Sequence, residues 1–348
     1  MTIRKTFFVL VLAAGFFGCV TSEQQTIAKR FIVKTKSLRA DTVITSAIYF
    51  GGHILCLQAD QKIFVLDSLL EPDNNLTANF SKLKVDFLQP YNDTIFIGTD
   101  EDLFFLNKDF TLKSYRPSPF NYRLPYYNDD TYYVYACSAG EWGGAVFFWN
   151  KKTDKTYSYP ATDVQQVFKF RDTFVVSNFL AHLSGISDYL FIKDPTELYE
   201  LKEEKQKTFC NWYMEVDSIK DTKLFNTITP QGVKYYSDTF TTRTLTTFPY
   251  DNEIYSIYCT DSLTILAKFQ NSKLLPVDTL LLHGLTFHDS RTHLTNEANV
   301  TAFEATWAVG GERNSWTPYQ NTGLIFIKDN KITFLEFQTP HKWTNNSR

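Results

Sequence analysis

Three stretches of this 348-residue chain combine residue types that could do chemistry. The first, "ACSAGEWGGAVFFWN" (residues 136–150), places Glu141 and Trp142 among three glycines, where the backbone is free to adopt unusual dihedrals. The second, "WAVGGERNSWTPYQNTG" (residues 307–323), echoes it with paired glycines, Glu312, Arg313, Asn314, Trp316 and Tyr319. Aromatic faces flanked by a carboxylate, a guanidinium and an amide can equip a sugar or peptide site, or a protein-binding hot spot. A β-bulge or wide turn, with Trp142 covering a sheet edge, accounts for the first stretch equally well. The third, "HGLTFHDSRTH", carries His283, His288 and His293 with Asp289 and Arg291. Its five-residue steps fit neither one helix face nor one strand face, and Arg291 would repel a cation. We read it as a solvated loop and assign no metal.

Glu141 and Glu312 are the carboxylate pair that a glycosidase would need, at a separation the sequence leaves open. There is no nucleophile elbow, phosphate-cradling loop, CxxC pair or HExxH. No catalytic residue is assigned, and no motif calls for a cofactor.

The elements that must position these stretches are strands. Aromatic residues make up 16% of the chain, and alternating apolar runs are joined by tight polar turns. The phrase recurs in "DFLQPYNDTIFIGTD", "LPYYNDDTYYVYA", "QVFKFRDTFVVS" and "IYSIYCTDSLTIL", with turn aspartates Asp93, Asp130, Asp172 and Asp261. Further copies centre on Gly51-Gly52, Asp221 and Gly310-Gly311. Several copies continue with two more short strands. Four strands at each of these steps predict an all-β fold, a single β-propeller of seven four-stranded blades over residues 31–340 with a tail at 341–348. The segment before the first hairpin, "RFIVKTKSLRADTVITS", could supply a strand to the last blade. "DPTELYELKEEKQ" is the best helix candidate, and a charged loop fits it as well. Cys56, Cys137, Cys210 and Cys259 lie in apolar, strand-like runs and read as buried thiols.

The N-terminus reads differently. Arg4 and Lys5 precede an apolar run, Phe7 to Phe17, about half the length needed to cross a bilayer. We read residues 1–18 as a signal peptide, with Gly18-Cys19 forming the core of a lipoprotein site and residues 19–30 a polar tether. Lipidation of Cys19 would anchor the chain to a bacterial membrane. The stretch after it lacks an acidic run, which points to the periplasmic side of the outer membrane. Losing Arg4 and Lys5 moves the formal charge from −3 to −5, and the remaining basic residues are scattered. Nucleic acid is therefore not an expected partner.

Taken together, Gly18-Cys19, the aromatic four-strand repeats and the "GEWGG" loop resemble Bacteroidota-type β-propeller lipoproteins. The resemblance implies a membrane-tethered, non-catalytic binding or scaffolding propeller for a protein or glycan ligand. It carries no catalytic residues and no oligomeric state. The alternatives are an enzyme acting on envelope glycans or peptides at the central channel, and a structural or inhibitory lipoprotein capping one partner protein.

Overall fold

The computed structural model describes residues 30–91, 93–100, 102–115, 125–138, 144–161, 163–180, 186–201, 233–238, 243–260, 262–270, 273–285, 292–295, 297–305 and 321–338. Cys19, Glu141, Trp142, Glu312, Arg313, Asn314, Trp316 and Tyr319 lie outside them, as do residues 1–29, on which the expected signal peptide and all of the expected tether but Arg30 fall.

Among the described residues the strands form six sheets, each a meander that starts with its innermost strand. Blade 1 is β2 (Ile44–Phe50), β3 (His53–Gln58) and β4 (Ile63–Leu66). Blade 2 is β5 (Phe87–Tyr91), β6 (Thr94–Gly98), β7 (Leu103–Leu106) and β8 (Leu112–Tyr115). Blade 3 is β9 (Tyr127–Asn128), β10 (Tyr132–Ser138), β11 (Gly144–Asn150) and β12 (Lys155–Pro160), with β16 (Tyr199–Glu200) added at its outer edge. Blade 4 is β13 (Val164–Phe170), β14 (Thr173–Leu180), β15 (Ile186–Ile192) and β17 (Val233–Asp238). Blade 5 is β18 (Arg243–Tyr250), β19 (Glu253–Cys259), β20 (Thr264–Gln270) and β21 (Lys273–Leu281). Blade 6 is β22 (Thr292–Leu294), β23 (Asn299–Ala305), β24 (Asn321–Lys328) and β25 (Lys331–Gln338).

The protein is thus an all-β propeller, with six blades in place of the seven expected. The reason lies in the turns. A polar two-residue turn marks any hairpin of a meander, so it does not say which hairpin it closes. Gly51-Gly52, Asp93, Asp130 and Asp172 close the first hairpin of their blades, but Asp261 falls between the second and third strands of blade 5. Gly310-Gly311 likewise falls between β23 and β24. The first hairpins of blades 5 and 6 turn instead at Asp251-Asn252 and at residues 295–298. Asp221 lies outside the described residues, in the connection from blade 4's third strand to its fourth.

Ring closure comes from β1 (Ile32–Arg39), which runs parallel to β25 from Ile32↔Lys331 to Arg39↔Gln338. The N-terminal segment therefore does join the last blade, as a fifth strand outside four already present. Blade 1 has only three strands, and the edge of β4 is closed another way. Val65 donates its N–H to Thr77 Oγ1 at 3.0 Å and accepts from Asp73 N–H at 2.9 Å. Thr77 sits on a short helix, α1 (Asn74–Asn79), whose N-cap Asp73 accepts from Leu76 N–H. Of the helix candidate near Asp194, the described part holds a single 3₁₀ turn, Pro195–Glu197, leading into β16.

Apolar side chains pack between neighbouring blades. Cys56, Leu66, Val300 and Leu335 join blade 1 to blade 6, and Phe148, Val164 and Phe174 join blade 3 to blade 4. The Cys56 thiol is free and fully buried, and burial raises its pKa above the usual thiol range. Cys259 is equally buried and donates to the Leu285 carbonyl at 2.7 Å. Cys137 is half-buried, and Cys210 lies outside the described residues. No helix among the described residues is long and apolar enough to cross a membrane.

Candidate functional site

The inner strands all run in the same direction, so their C-terminal ends and the first-hairpin turns gather on one face. A cavity of about 440 Å³ lies there on the axis, lined by residues from five of the six blades. Blade 1 contributes Tyr49 and Phe50, blade 2 Gln89, Pro90, Asp93 and Lys108, and blade 3 Tyr126 to Asn128. Blade 4 contributes Gln166 to Lys169, and blade 6 Thr292 to Thr295 with Glu297.

A recurring bulge aims the polar wall residues. The register between first and second strands slips at Ile44/Ser46 in blade 1, Val164/Gln166 in blade 4 and Thr244/Thr246 in blade 5. An extra residue on one strand breaks the alternation and re-aims the side chains beyond it. Gln165 and Gln166 are both buried, as is the whole run from Val164 to Phe168, since an inner strand is covered on both faces. Gln166 is 2% exposed, and its Oε1 accepts from the Thr247 N–H of blade 5 at 3.3 Å. Its Nε2 is buried and has no acceptor among the described residues. Across the wall, Gln89 Nε2 donates to the Pro125 carbonyl at 2.5 Å.

His293 proves not to sit in a solvated loop. It is 4% exposed, on the inner strand β22, with Nε2 3.1 Å from Ser46 Oγ. His288, Asp289 and Arg291 lie outside the described residues. Among the described residues no cluster of His, Cys, Asp or Glu is arranged to hold a metal ion.

The lysines at the rim are paired in place. Lys108 pairs with Asp93 at 3.5 Å, and Lys169 with Asp129 at 3.8 Å. Lys151 donates to Asn128 Oδ1 at 2.6 Å, and burial lowers its pKa against the pull of Asp129 and Asp130. Burial pushes the Asp129 carboxyl upward, but N–H donors from Tyr132 and Thr131, the Tyr127 hydroxyl and Lys169 together bring it below the ordinary value. The Tyr127 phenol, buried and donating to Asp129 at 2.9 Å, is raised above the usual range.

The loops chosen from sequence join second to third strands. The ends that flank them are Ser138 and Gly144 in blade 3, and Ala305 and Asn321 in blade 6. Those ends lie opposite the cavity face. In chain order both segments link the second strand of a blade to its third, whereas the cavity is built from shorter signals. The pair Gln165-Gln166 in an apolar strand, a violation of alternation, was the one sequence feature that could have revealed it.

Fold and site together define an all-β propeller with an axial cavity. No family model matches the sequence, and no curated protein does. Similar solved structures include BamB from Moraxella catarrhalis, at 9% identity over 76% of this chain and 83% of that one, with a TM-score of 0.38. The β-propeller domain of the Trilobed protease from Pyrococcus furiosus is similar at 10% identity over 88% and 98%, with a TM-score of 0.36. The computationally designed Ika8 protein is similar at 9% over 87% and 88%, also at 0.36. Likeness at this level carries nothing about activity.

Proposed function

We propose that this protein is a non-catalytic binding propeller that takes its ligand in the axial cavity and is held at a bacterial envelope membrane through lipidated Cys19. The observation that supports binding is the cavity itself, where five blades converge on about 440 Å³ of mixed aromatic and amide wall. Small-molecule sites are concave, largely preformed and equipped with a few fixed polar groups. This one matches that description.

The test is ligand-induced stabilisation of the full chain, screened against envelope glycans and short peptides. A ligand that binds only the folded state stabilises it by RT ln(1 + L/Kd) at free concentration L, and so raises the melting temperature as L passes Kd. Lys108, at the mouth and more than half exposed, gives a plug in Lys108→Trp that spares the core. A shift present in the wild type and lost in Lys108→Trp is expected. No shift from either library, or one untouched by the plug, would refute cavity binding. For the anchor, mass spectrometry should find acyl chains on Cys19, and Cys19→Ser should move the protein from the membrane to the soluble fraction.

One contact favours the enzymatic alternative: Ser46 Oγ and His293 Nε2, 3.1 Å apart, have the reach of a nucleophile and its base. A fluorophosphonate probe decides between the readings. Labelling of Ser46, lost in His293→Gln, would make this protein a hydrolase.

A further inference from the structure

We infer that the tether holds the propeller with its cavity face toward the membrane that takes the lipid on Cys19, so that the axial cavity opens on the surface of that membrane. This rests on the proposed anchor, and it deepens the proposed binding role by naming the side from which a ligand comes. It starts from where the chain enters the fold. Ile32 pairs with Lys331, and its N–H donates to the Asn330 carbonyl at 2.8 Å. The Asp329-Asn330 turn follows Lys328, whose Nζ reaches the hydroxyl of the cavity-lining Tyr49. Strand β1 therefore begins at the cavity face and runs away from it.

The two residues before β1 carry the chain inward over that face. Phe31 is 7% exposed and packs against Phe248 and Tyr250 of the inner strand β18 and Tyr255 of β19, at ring-centre distances of 5.9, 4.8 and 5.1 Å. Arg30 pairs with Asp251 in the first turn of blade 5 at 3.0 Å and lies 3.8 Å from Glu253. That turn is on the cavity face, where its Asn252 carbonyl accepts from Arg171 in the first turn of blade 4 at 3.2 Å. The exit point is thus fixed above the inner half of blade 5, away from the outer edge where β1 lies.

Reach decides which face meets the bilayer. Eleven links separate Cys19 from Arg30, a span of at most about 38 Å. An unstructured chain of that length averages about 17–20 Å end to end. With the cavity face toward the bilayer, the tether runs straight to it. Turning the opposite face to the bilayer would send the tether across the ring to its edge and then down the height of a blade. The descent alone, set by the eight residues of β1, is about 23 Å. That already exceeds the average reach. Among the described residues, the exposed large apolar side chains are Ile32, Leu69, Leu275 and Leu282, all on outer strands or just beyond them. The inner turns thus present no large apolar side chain to insert into lipid, and the tether sets the orientation.

The experiment places the lipidated full chain in vesicles of phosphatidylethanolamine and phosphatidylglycerol that carry a headgroup-linked energy acceptor. A donor dye is attached through p-azidophenylalanine, introduced at one position at a time, so that the native cysteines play no part. Lys108 and Asp172 are exposed on the cavity face, and Asp60 and Asp102 are exposed in turns on the opposite one. Energy transfer should fall by about half or more from the first pair to the second, since a blade height of about 23 Å separates them. Inserting about thirty Gly and Ser residues after Cys19 should erase most of that difference, because the average reach then exceeds the blade height. Equal or inverted transfer in a chain that floats with the vesicles overturns the orientation and leaves the lipid anchor standing. A difference that survives the longer tether also overturns the inference, because the face itself would then be docking on lipid. A wild type that fails to float, as Cys19→Ser should, ends the anchor reading and this inference with it, while the ligand screen judges the cavity separately.

Discussion

Lys328 of blade 6 donates a hydrogen bond to the Tyr49 hydroxyl of blade 1 at 2.5 Å, with its Nζ 4.5 Å from the centre of the same ring. One side chain thus ties the last four-stranded meander to the first, at the edge of the cavity. The hydrogen bond to Tyr49, the largest cause, raises the Lys328 pKa above its ordinary 10.5 even though burial opposes it. A raised pKa means that the charged form is favoured by folding. The contribution is complete below pH 10.5 and is lost as pH climbs through the folded value. Lys328→Met should therefore cost about 1 kcal/mol at neutral pH, and the gap to wild type should close in alkaline denaturation curves.

Asp129 behaves in the opposite sense. Its Oδ1 accepts from the Thr131 and Tyr132 N–H groups at 2.7 Å each, so this residue, rather than the neighbouring Asp130, holds the first turn of blade 3. Because its folded pKa lies below the ordinary 3.8, its stabilisation is present above that value and fades as pH falls through the folded one. Asp129→Asn keeps an acceptor oxygen but loses the charge. Acid titration of stability should show a shallower decline below about pH 4 in the variant than in the wild type.

Strand β1 closes the ring by main-chain bonds, which start with Ile32 N–H to the Asn330 carbonyl at 2.8 Å. In a parallel ladder the bonded residues alternate, which puts the Lys34 N–H on the β25 side and the Thr35 N–H on the open edge. Proline tests this directly. Lys34→Pro should lower stability by about 1–3 kcal/mol, and Thr35→Pro by clearly less. Equal losses in chemical denaturation would show that β1 is not held in this register.

Two glycines lie under phenylalanine rings, and their surroundings differ. A Cβ at Gly323 would meet Phe303 Cζ at 2.2 Å and the Leu335 carbonyl oxygen at 2.5 Å. Phe303 is buried and the carbonyl belongs to the ladder, so neither can yield. At Gly98 the obstacle is the ring of the half-buried Phe87, at 2.1 Å, which can swing outward. Gly323→Ala should cost about 1–3 kcal/mol or prevent folding, and Gly98→Ala less, as read from urea midpoints.

Much of the fold was legible along the chain. Short apolar, β-branched and aromatic runs such as "TIFIG" and "TFVVS" announce strands, and the turns between them announce a meander. The resemblance to a propeller rests on four such strands per repeat, and so does the expectation that the N-terminal segment reaches the last blade. The count was not legible. The "CTDS" turn around Asp261 and the "FRDT" turn around Asp172 read alike, yet one closes a second hairpin and the other a first. Hairpin chemistry is local, whereas blade phase depends on which strand faces the axis.

The site divides along the same line. Sequence by itself determined strand chemistry, meander order and an inventory of aromatic and amide residues, because these depend on neighbours two to five positions apart. Only the tertiary structure decided that Gln89, Gln166 and His293, spread over more than two hundred positions, share one cavity wall. It also decided that Gln166 meets Thr247 across a blade boundary. Closing a ring brings together the inner strands of every blade, and nothing within a single repeat encodes what the other five bring to the axis.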